Sequence, residues 1–255
     1  MVQLGVTDLN RLLWQERAAG DTSRPWESLS TEPVGLREEL WLHPAGADDD
    51  RVLLAIHGGG FVSGSIATHR RMFGHLALAA GISTVVVEYG LVPSHVYPAQ
   101  LDQVSAVYSR LAGRRVALVG DSCGATLALG VAQRGPAPAA MVLFSPWVDL
   151  AITGASYDTP TDPFFTRELC RGLASAYLSG APPEPLDVSG LPPTYVQVGG
   201  DEALLDDARL LARSSPAVEL DEFPGQLHTF QMAAGRSPIA DEAIARAGQW
   251  LRDRL

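Results

Sequence analysis

Short apolar runs alternate with longer segments of helical periodicity along most of the chain. Apolar and β-branched residues fill successive positions in most of these runs, as expected for parallel strands that helices cover on both faces. Six runs predict strands, namely Arg51–His57, Ser83–Tyr89, Arg115–Gly120, Ala140–Ser145, Thr194–Gly199 and Val218–Phe223. A more polar run at Leu36–Leu42 predicts one earlier strand.

The segments between these runs carry apolar residues at helical spacing. Five of them predict helices, namely Thr68–Ala80, Ala99–Ala112, Cys123–Arg134, Leu204–Arg213 and Ile239–Leu255. Strands that alternate with helices imply right-handed crossovers and a mostly parallel central sheet flanked by helices. We therefore expect a single α/β domain over residues 1–255.

Two segments interrupt this alternation. Residues 1–35 predict one helix near Thr7–Ala18 and then a loop rich in polar residues. Residues 148–192 contain several prolines around one predicted helix at Arg167–Leu178. We interpret both segments as parts of a small helical cap over the carboxyl ends of the strands. The alternative is that both segments lie on the surface and have no role at a functional site.

Composition limits the classes of binding partner and the cellular compartment that we expect. The net charge of −10 would repel a nucleic acid backbone, and all 19 basic residues are arginine, which excludes a catalytic lysine. The two cysteines, Cys123 and Cys170, have neither a disulfide framework nor metal-site spacing. No apolar run is long enough to span a bilayer. We expect a cytoplasmic protein without metal, nucleic acid or membrane partner.

The segment Gly120–Gly124 (GDSCG) follows one predicted strand and opens one predicted helix. A serine nucleophile on a tight strand-to-helix turn needs small residues two positions away on each side. The helix N-terminus also lends positive potential to a developing anion. The pattern therefore indicates that Ser122 is a catalytic nucleophile.

A second glycine-rich segment, His57–Phe61 (HGGGF), follows the first of the six strands. Three successive glycines let the backbone turn its N–H groups toward one point, as the oxyanion of acyl transfer requires. Gly59 and Gly60 would donate, together with the N–H of Cys123. A phosphate loop is excluded because no Gly-Lys-Ser/Thr follows, and His57 is interpreted as scaffold.

The general base should lie after the last strand, where the segment PGQLHTF contains His228. The remaining histidines are interpreted as core or surface residues. The acid that orients the imidazole should follow the strand before last, where four carboxylates compete. Asp206 and Asp207 would lie inside the next helix, a full turn further on. Asp201 and Glu202 both lie at the loop–helix junction, and spacing alone does not separate them.

Several motifs occur in the order found in hormone-sensitive-lipase-like esterases. They are HGGGFVSGS, YGLVPSHVYPAQLDQ, GDSCGA, SPWVDL, LPPTYVQVGGDEALLDD and PGQLHTF. From Arg51 onward the chain resembles this family, most of all its monoterpene lactone hydrolase and arylesterase relatives. The resemblance implies the α/β-hydrolase fold and a small helical cap. It also makes Glu202, in the box Glu202–Asp206, the acid of a Ser–Glu–His triad, with Asp201 as the alternative.

The loop after the strand predicted at Ser83–Tyr89 departs from the family pattern Y-R-L-A-P-E. Gly90 and Ser94 stand where the family has arginine and glutamate. Losing both partners of an ion pair costs far less than leaving one unpaired. We interpret the two changes as the joint loss of a structural ion pair between that arginine and that glutamate.

These features predict a serine carboxylester hydrolase that cleaves small hydrophobic esters or lactones through an acyl-enzyme, without a cofactor. A biosynthetic acyltransferase or cyclase with the same triad is one alternative. A non-catalytic ligand-binding protein on a hydrolase scaffold is another, although such proteins usually lack the nucleophile or the base. The resemblance also implies a possible homodimer, because members of this family often dimerise through the exposed last strand and helix.

Overall fold

The described part of the chain forms one eight-stranded sheet. The computed structural model describes residues 29–34, 39–159 and 161–255. The strands are β1 (Leu29–Val34), β2 (Glu39–Pro44), β3 (Arg51–Ile56), β4 (Ser83–Val87), β5 (Arg115–Asp121), β6 (Ala140–Phe144), β7 (Thr194–Gly199) and β8 (Val218–Phe223). Their order is β1-β2-β4-β3-β5-β6-β7-β8. The β1–β2 and β2–β4 pairs are antiparallel and the other neighbours are parallel, which confirms the predicted mostly parallel sheet.

Six helices connect or flank the strands within the described residues. They are α1 (Ile66–Ala80), α2 (Ala99–Arg110), α3 (Cys123–Arg134), α4 (Arg167–Tyr177), α5 (Leu205–Ser214) and α6 (Pro238–Arg252). The bounds of α3 are those that the sequence predicts. Helix α1 begins two residues earlier than predicted, because Ser65 and Thr68 form a capping box that satisfies the first N–H groups.

The alternate side chains of a strand enter two separate hydrophobic cores. In β3, Leu54 and Ile56 pack in a core that includes side chains from α2, α3, α4 and α5. Leu53 and Ala55 face the opposite side and pack with side chains from α1 and α6. Burial on both faces explains the continuous apolar runs in the sequence. Within the described ranges, no helix combines the length and hydropathy needed to cross a membrane.

The interrupting segments differ from expectation in one place. The predicted polar loop is wrong at residues 29–34, which form β1 and pair antiparallel with β2. Edge pairing needs only backbone partners on one side, so it leaves a weak pattern in the sequence. The predicted helix at Thr7–Ala18 lies outside the described residues. Residues 148–192 contain a 3₁₀ turn at Ala155–Asp158 and α4. The assignment of both segments to a cap stays a prediction.

Candidate active site

Ser122 lies on the turn between β5 and α3. Its φ of 53° is in the left-handed region, which is strained for a residue with a side chain. A Cβ at Gly120 would lie 2.6 Å from the backbone of Gly124. A Cβ at Gly124 would lie 2.1 Å from the carbonyl oxygen of Ile56, at the end of β3. The turn therefore requires glycine at both positions, as the sequence pattern indicates.

Three predicted site residues meet in one hydrogen-bonded chain. His228 Nε2 lies 3.0 Å from Ser122 Oγ, and His228 Nδ1 lies 3.1 Å from Glu202 Oε1. All three residues are buried, with exposed fractions of 2% for Ser122, 0% for His228 and 1% for Glu202. The ring of Phe165 meets the imidazole edge-on at 4.7 Å between centroids and helps to enclose it. This arrangement can pass a proton between the serine hydroxyl and the imidazole.

The carboxylate of Glu202 has two further hydrogen bonds. Its Oε2 accepts from Ser145 Oγ at 2.7 Å and from the backbone N–H of Gly199 at 2.9 Å. Ser145 Oγ in turn accepts from the N–H of Thr229, the residue after His228, at 3.0 Å. Ser145 therefore joins the acid segment to the base segment. Ser145 was not among the predicted site residues, and its only signal in the sequence was the SPWVDL motif after β6.

The alternative acid, Asp201, is half-buried and is held through its backbone. Its N–H donates to the carbonyl of Gln226 at 3.1 Å, and its carbonyl accepts from Thr161 Oγ1 at 3.0 Å. Glu202 is the carboxylate that the structure brings to His228 Nδ1.

Two glycines of the loop after β3 have positive φ angles. Gly59 and Gly60 have φ angles of 123° and 61°, and a Cβ at Gly59 would lie 2.2 Å from the carbonyl oxygen of Ser63. Cys123 is the first residue of α3, so its N–H has no acceptor within the helix. The three predicted oxyanion donors thus come from this loop and from the start of α3.

Side chains tie this loop to its surroundings. The thiol of Cys123 accepts from the N–H of Phe61 at 3.2 Å, and burial raises its pKa to about 12, so it stays a neutral thiol. His57 Nδ1 donates to the carbonyl of Gly58 at 2.8 Å. Burial, and then the neighbouring His69, lowers the pKa of His57 to about 3, so its ring is neutral. His57 thus bonds to the backbone of its own loop, and its role as scaffold stays a prediction.

A second buried carboxylate supports the loop after β6. Asp207 Oδ1 accepts from the N–H groups of Val148 and Asp149, both at 2.7 Å. Trp147, the residue before Val148, donates its backbone N–H to the carbonyl of Ser122 at 3.1 Å. Burial raises the pKa of Asp207 to about 7, although both N–H groups favour the ionised form. The carboxyl group of Asp207 therefore binds its proton more tightly in the folded protein than in the unfolded chain. As the pH rises from about 4 to about 7, this group lowers the free energy of unfolding.

In the loop that departs from the family pattern, Gly90 packs against the ring of His95. A Cβ at Gly90 would lie 2.2 Å from the ring of His95. The N–H of Gly90 donates to Gln103 Oε1 at 2.7 Å. The imidazole therefore occupies the space that a side chain at position 90 would enter.

A mostly parallel sheet that carries a serine on the turn between a central strand and the next helix, with a histidine in the loop after the last strand, defines the α/β-hydrolase class. A family profile described as alpha/beta hydrolase fold matches residues 53–232. An acetyl-hydrolase from Streptomyces hygroscopicus is 36% identical over 246 residues, which cover 86% of this chain and 81% of the relative.

Solved structures agree with this class. An esterase from the bacterial hormone-sensitive lipase family is similar at a TM-score of 0.84 and 34% identity, over 100% of this chain and 99% of that chain. A hormone-sensitive lipase from a metagenome library is similar at a TM-score of 0.88 and 28% identity, over 100% and 93%. The chain belongs to the hormone-sensitive-lipase-like esterase family of the α/β-hydrolase fold. This finding confirms the resemblance drawn from the motifs.

Proposed function

We propose that the protein hydrolyses carboxyl esters through an acyl-enzyme formed on Ser122. His228 takes the proton of the serine hydroxyl as its oxygen attacks the ester carbonyl, and then returns the proton to the leaving alcohol. Glu202 holds the imidazole in the required orientation. The N–H groups of Gly59, Gly60 and Cys123 stabilise the oxyanion of the tetrahedral intermediate. Water then attacks the acyl-enzyme, and the free acid leaves.

The observation that carries this proposal is the buried chain from Glu202 through His228 to Ser122, with contacts of 3.1 and 3.0 Å. A buried carboxylate and a buried imidazole are costly unless they are paired. Pairing them in line with a serine hydroxyl on a strained turn supports nucleophilic catalysis rather than a purely structural role.

Small hydrophobic esters and lactones are the proposed substrates. The relative from Streptomyces is named for acetyl hydrolysis, which supports a small acyl group. One aromatic side chain lies beside the reacting groups, since the ring of Phe165 packs on His228 at 4.7 Å between centroids. Titrating the acid released from a δ-lactone and from an alkyl acetate would test this range.

The central test is hydrolysis of p-nitrophenyl acetate. We expect activity in the native protein and loss of at least about 10⁴-fold in kcat for Ser122→Ala. Glu202→Gln should lower kcat by about 10³–10⁴-fold, whereas the matched variant Asp201→Asn should stay within about threefold. If Asp201→Asn lost the activity and Glu202→Gln kept it, the assignment of the acid would be wrong.

Analysis of the products of the same reaction, with and without an added amine, separates the two alternative functions. An acyltransferase or cyclase would pass the acyl group to an added amine or to a substrate hydroxyl, so that less free acid forms. A non-catalytic binding protein would show no difference between the native protein and Ser122→Ala.

Two further proposals concern the state of the protein in the cell. We propose a cytoplasmic location, to be tested by fractionation. We also propose that a homodimer can form at the edge of the sheet, where β8 pairs with β7 within the described sheet. Analytical ultracentrifugation of the native protein would reveal a monomer if this second proposal is wrong.

A further inference from the structure

Asp121 is a buried carboxylate that the proposed mechanism does not use. It is the last residue of β5 and directly precedes Ser122. Its Oδ1 accepts from the N–H of Gly58 at 3.0 Å, and its Oδ2 lies 3.3 Å from Nε2 of His69. Asp121 and His69 are both fully buried. A carboxylate without access to water needs such partners, and hydrogen bonds to a charged acceptor are among the strongest in proteins.

These contacts join the turn of the nucleophile to the glycine-rich loop. Gly58 and Asp121 are 63 residues apart in sequence, and a Cβ at Gly58 would lie 2.4 Å from Asp121 Oδ2. Only a glycine therefore lets the loop approach the carboxylate this closely. The backbone of Gly58 therefore lies against Asp121, the residue directly before Ser122.

Both backbone polar groups of Gly58 are held by side chains. Asp121 takes its N–H, and His57 Nδ1 donates to its carbonyl. In a trans peptide the N–H points away from the carbonyl of the same plane. The carbonyl of Gly58 shares its plane with the N–H of Gly59, one of the proposed oxyanion donors. The bond from His57 therefore sets the direction of that donor, and the bond to Asp121 holds the peptide immediately before it.

His69 supports the carboxylate from the opposite side. It lies in the first turn of α1, and its Nδ1 is 2.7 Å from Thr68 Oγ1. Thr68 belongs to the capping box that starts α1, with its N–H donating to Ser65 Oγ at 3.2 Å. The orientation of the imidazole is thus set by the start of a helix that packs on the sheet. This arrangement gives Asp121 a rigid neighbour rather than a mobile one.

We propose that Asp121 and His69 are positioning residues that hold the oxyanion loop in register with Ser122. The inference rests on the proposed function and deepens it, since it names what aligns the Gly59 donor. Neither residue touches the substrate. Their effect is exerted on the tetrahedral intermediate, because the oxyanion donors act mainly where negative charge develops.

The experiment compares Asp121→Asn with the matched control Glu88→Gln. Glu88 is a half-buried carboxylate that also accepts a backbone N–H, that of Ile66 at 2.8 Å, at the start of α1. Both variants replace a carboxylate by its amide, but only Asp121 is bonded to the glycine loop. A third variant, His69→Phe, keeps a ring at position 69 and removes the nitrogen near Asp121.

Three quantities are measured for each variant: kcat and KM with p-nitrophenyl acetate, and Ki for an aryl trifluoromethyl ketone. Ser122 Oγ adds to the ketone carbon, the serine proton passes to His228, and the former carbonyl oxygen becomes the oxyanion. The Ki therefore reports on oxyanion stabilisation. Thermal unfolding of each variant records any loss of stability.

We expect Asp121→Asn to lower kcat by about 10- to 100-fold with KM changed less than about threefold, less than the loss of a whole donor. Its Ki should rise by the factor by which kcat/KM falls. His69→Phe should lower kcat by about three- to tenfold, and Glu88→Gln should stay within about twofold on all three quantities. A structural role alone would shift the melting temperature without this parallel change.

The inference is overturned if folded Asp121→Asn keeps its kcat and Ki, or if Glu88→Gln loses as much. If Asp121→Asn does not fold, His69→Phe decides, and an unchanged kcat and Ki in that variant would overturn the inference. An inactive native protein, indistinguishable from Ser122→Ala, would instead refute the proposed function. The two failures therefore give different results.

Discussion

Replacement of Ser145 by alanine removes the hydroxyl that joins the acid and base segments of the site. Ser145 Oγ donates to Glu202 Oε2 at 2.7 Å and accepts from the N–H of Thr229 at 3.0 Å. In Ser145→Ala the carboxylate keeps its bond from Gly199 N–H but loses the shorter one. The amide of Thr229 loses this acceptor, and the segment that carries His228 is less firmly held.

The magnitude follows from these two buried bonds. A hydrogen bond to a charged acceptor contributes about 1.5–3 kcal/mol, and a buried amide that loses its acceptor costs about 1–3 kcal/mol. Since the two effects share one atom and do not add fully, we expect the free energy of unfolding to fall by about 2–4 kcal/mol. Imperfect orientation of the imidazole that costs about 1.4 kcal/mol in the transition state would lower kcat about tenfold.

The assay measures urea unfolding and p-nitrophenyl acetate hydrolysis for Ser145→Ala and for a matched control, Ser215→Ala. Ser215 is also buried, and its Oγ accepts the N–H of Ala217 at 3.3 Å, in the turn between α5 and β8. The control should lose about 1 kcal/mol of stability and keep kcat within about twofold. Native kcat in Ser145→Ala, or an equal loss in both variants, would show that this hydroxyl does not orient the imidazole.

Three further predictions use other parts of the structure. For Asp207→Asn, we expect the stability advantage of the native protein over the variant to shrink as the pH rises from 5 to 8, because burial raises the pKa of Asp207 to about 7; parallel curves in urea unfolding would contradict this. Gly124→Ala should cost about 1–3 kcal/mol and most of the activity, because its Cβ would lie 2.1 Å from a carbonyl oxygen of β3. Its control is Gly135→Ala, at the other end of α3, where the added Cβ would meet Tyr108 at an ordinary contact distance of 3.5 Å, and this variant should retain both stability and activity. Gly90→Arg should lower the melting temperature, because its Cβ would lie 2.2 Å from the His95 ring; a rise would show that the missing arginine alone weakens this loop.

The elements with strong local signals are the ones that the sequence predicts well. Helix α3 has the predicted bounds, since its first residues follow a glycine-bounded turn and its end is followed by Gly135. The edge strand β1 escaped prediction, because pairing along one side demands little of its side chains. Spacing left Asp201 and Glu202 open, and it was the family motif that favoured Glu202.

Local sequence patterns do not predict contacts between segments that are distant in the sequence. Ser145 and Glu202 are 57 residues apart, and neither the strand that ends before Ser145 nor the loop that holds Glu202 indicates their hydrogen bond. The contact of Asp121 with Gly58 is equally non-local. Each depends on the order of strands in the sheet, which sets which carboxyl ends lie side by side.

Local sequence patterns were sufficient to predict the alternation of strands and helices, the glycine-bounded turn of Ser122 and the placement of His228 after the last strand. These are local properties, because periodicity and the small volume of glycine act over a few residues. The tertiary structure decided which groups touch. Ser122 and His228 are 106 residues apart, and only the packing of parallel strands brings hydroxyl, imidazole and carboxylate within hydrogen-bond distance.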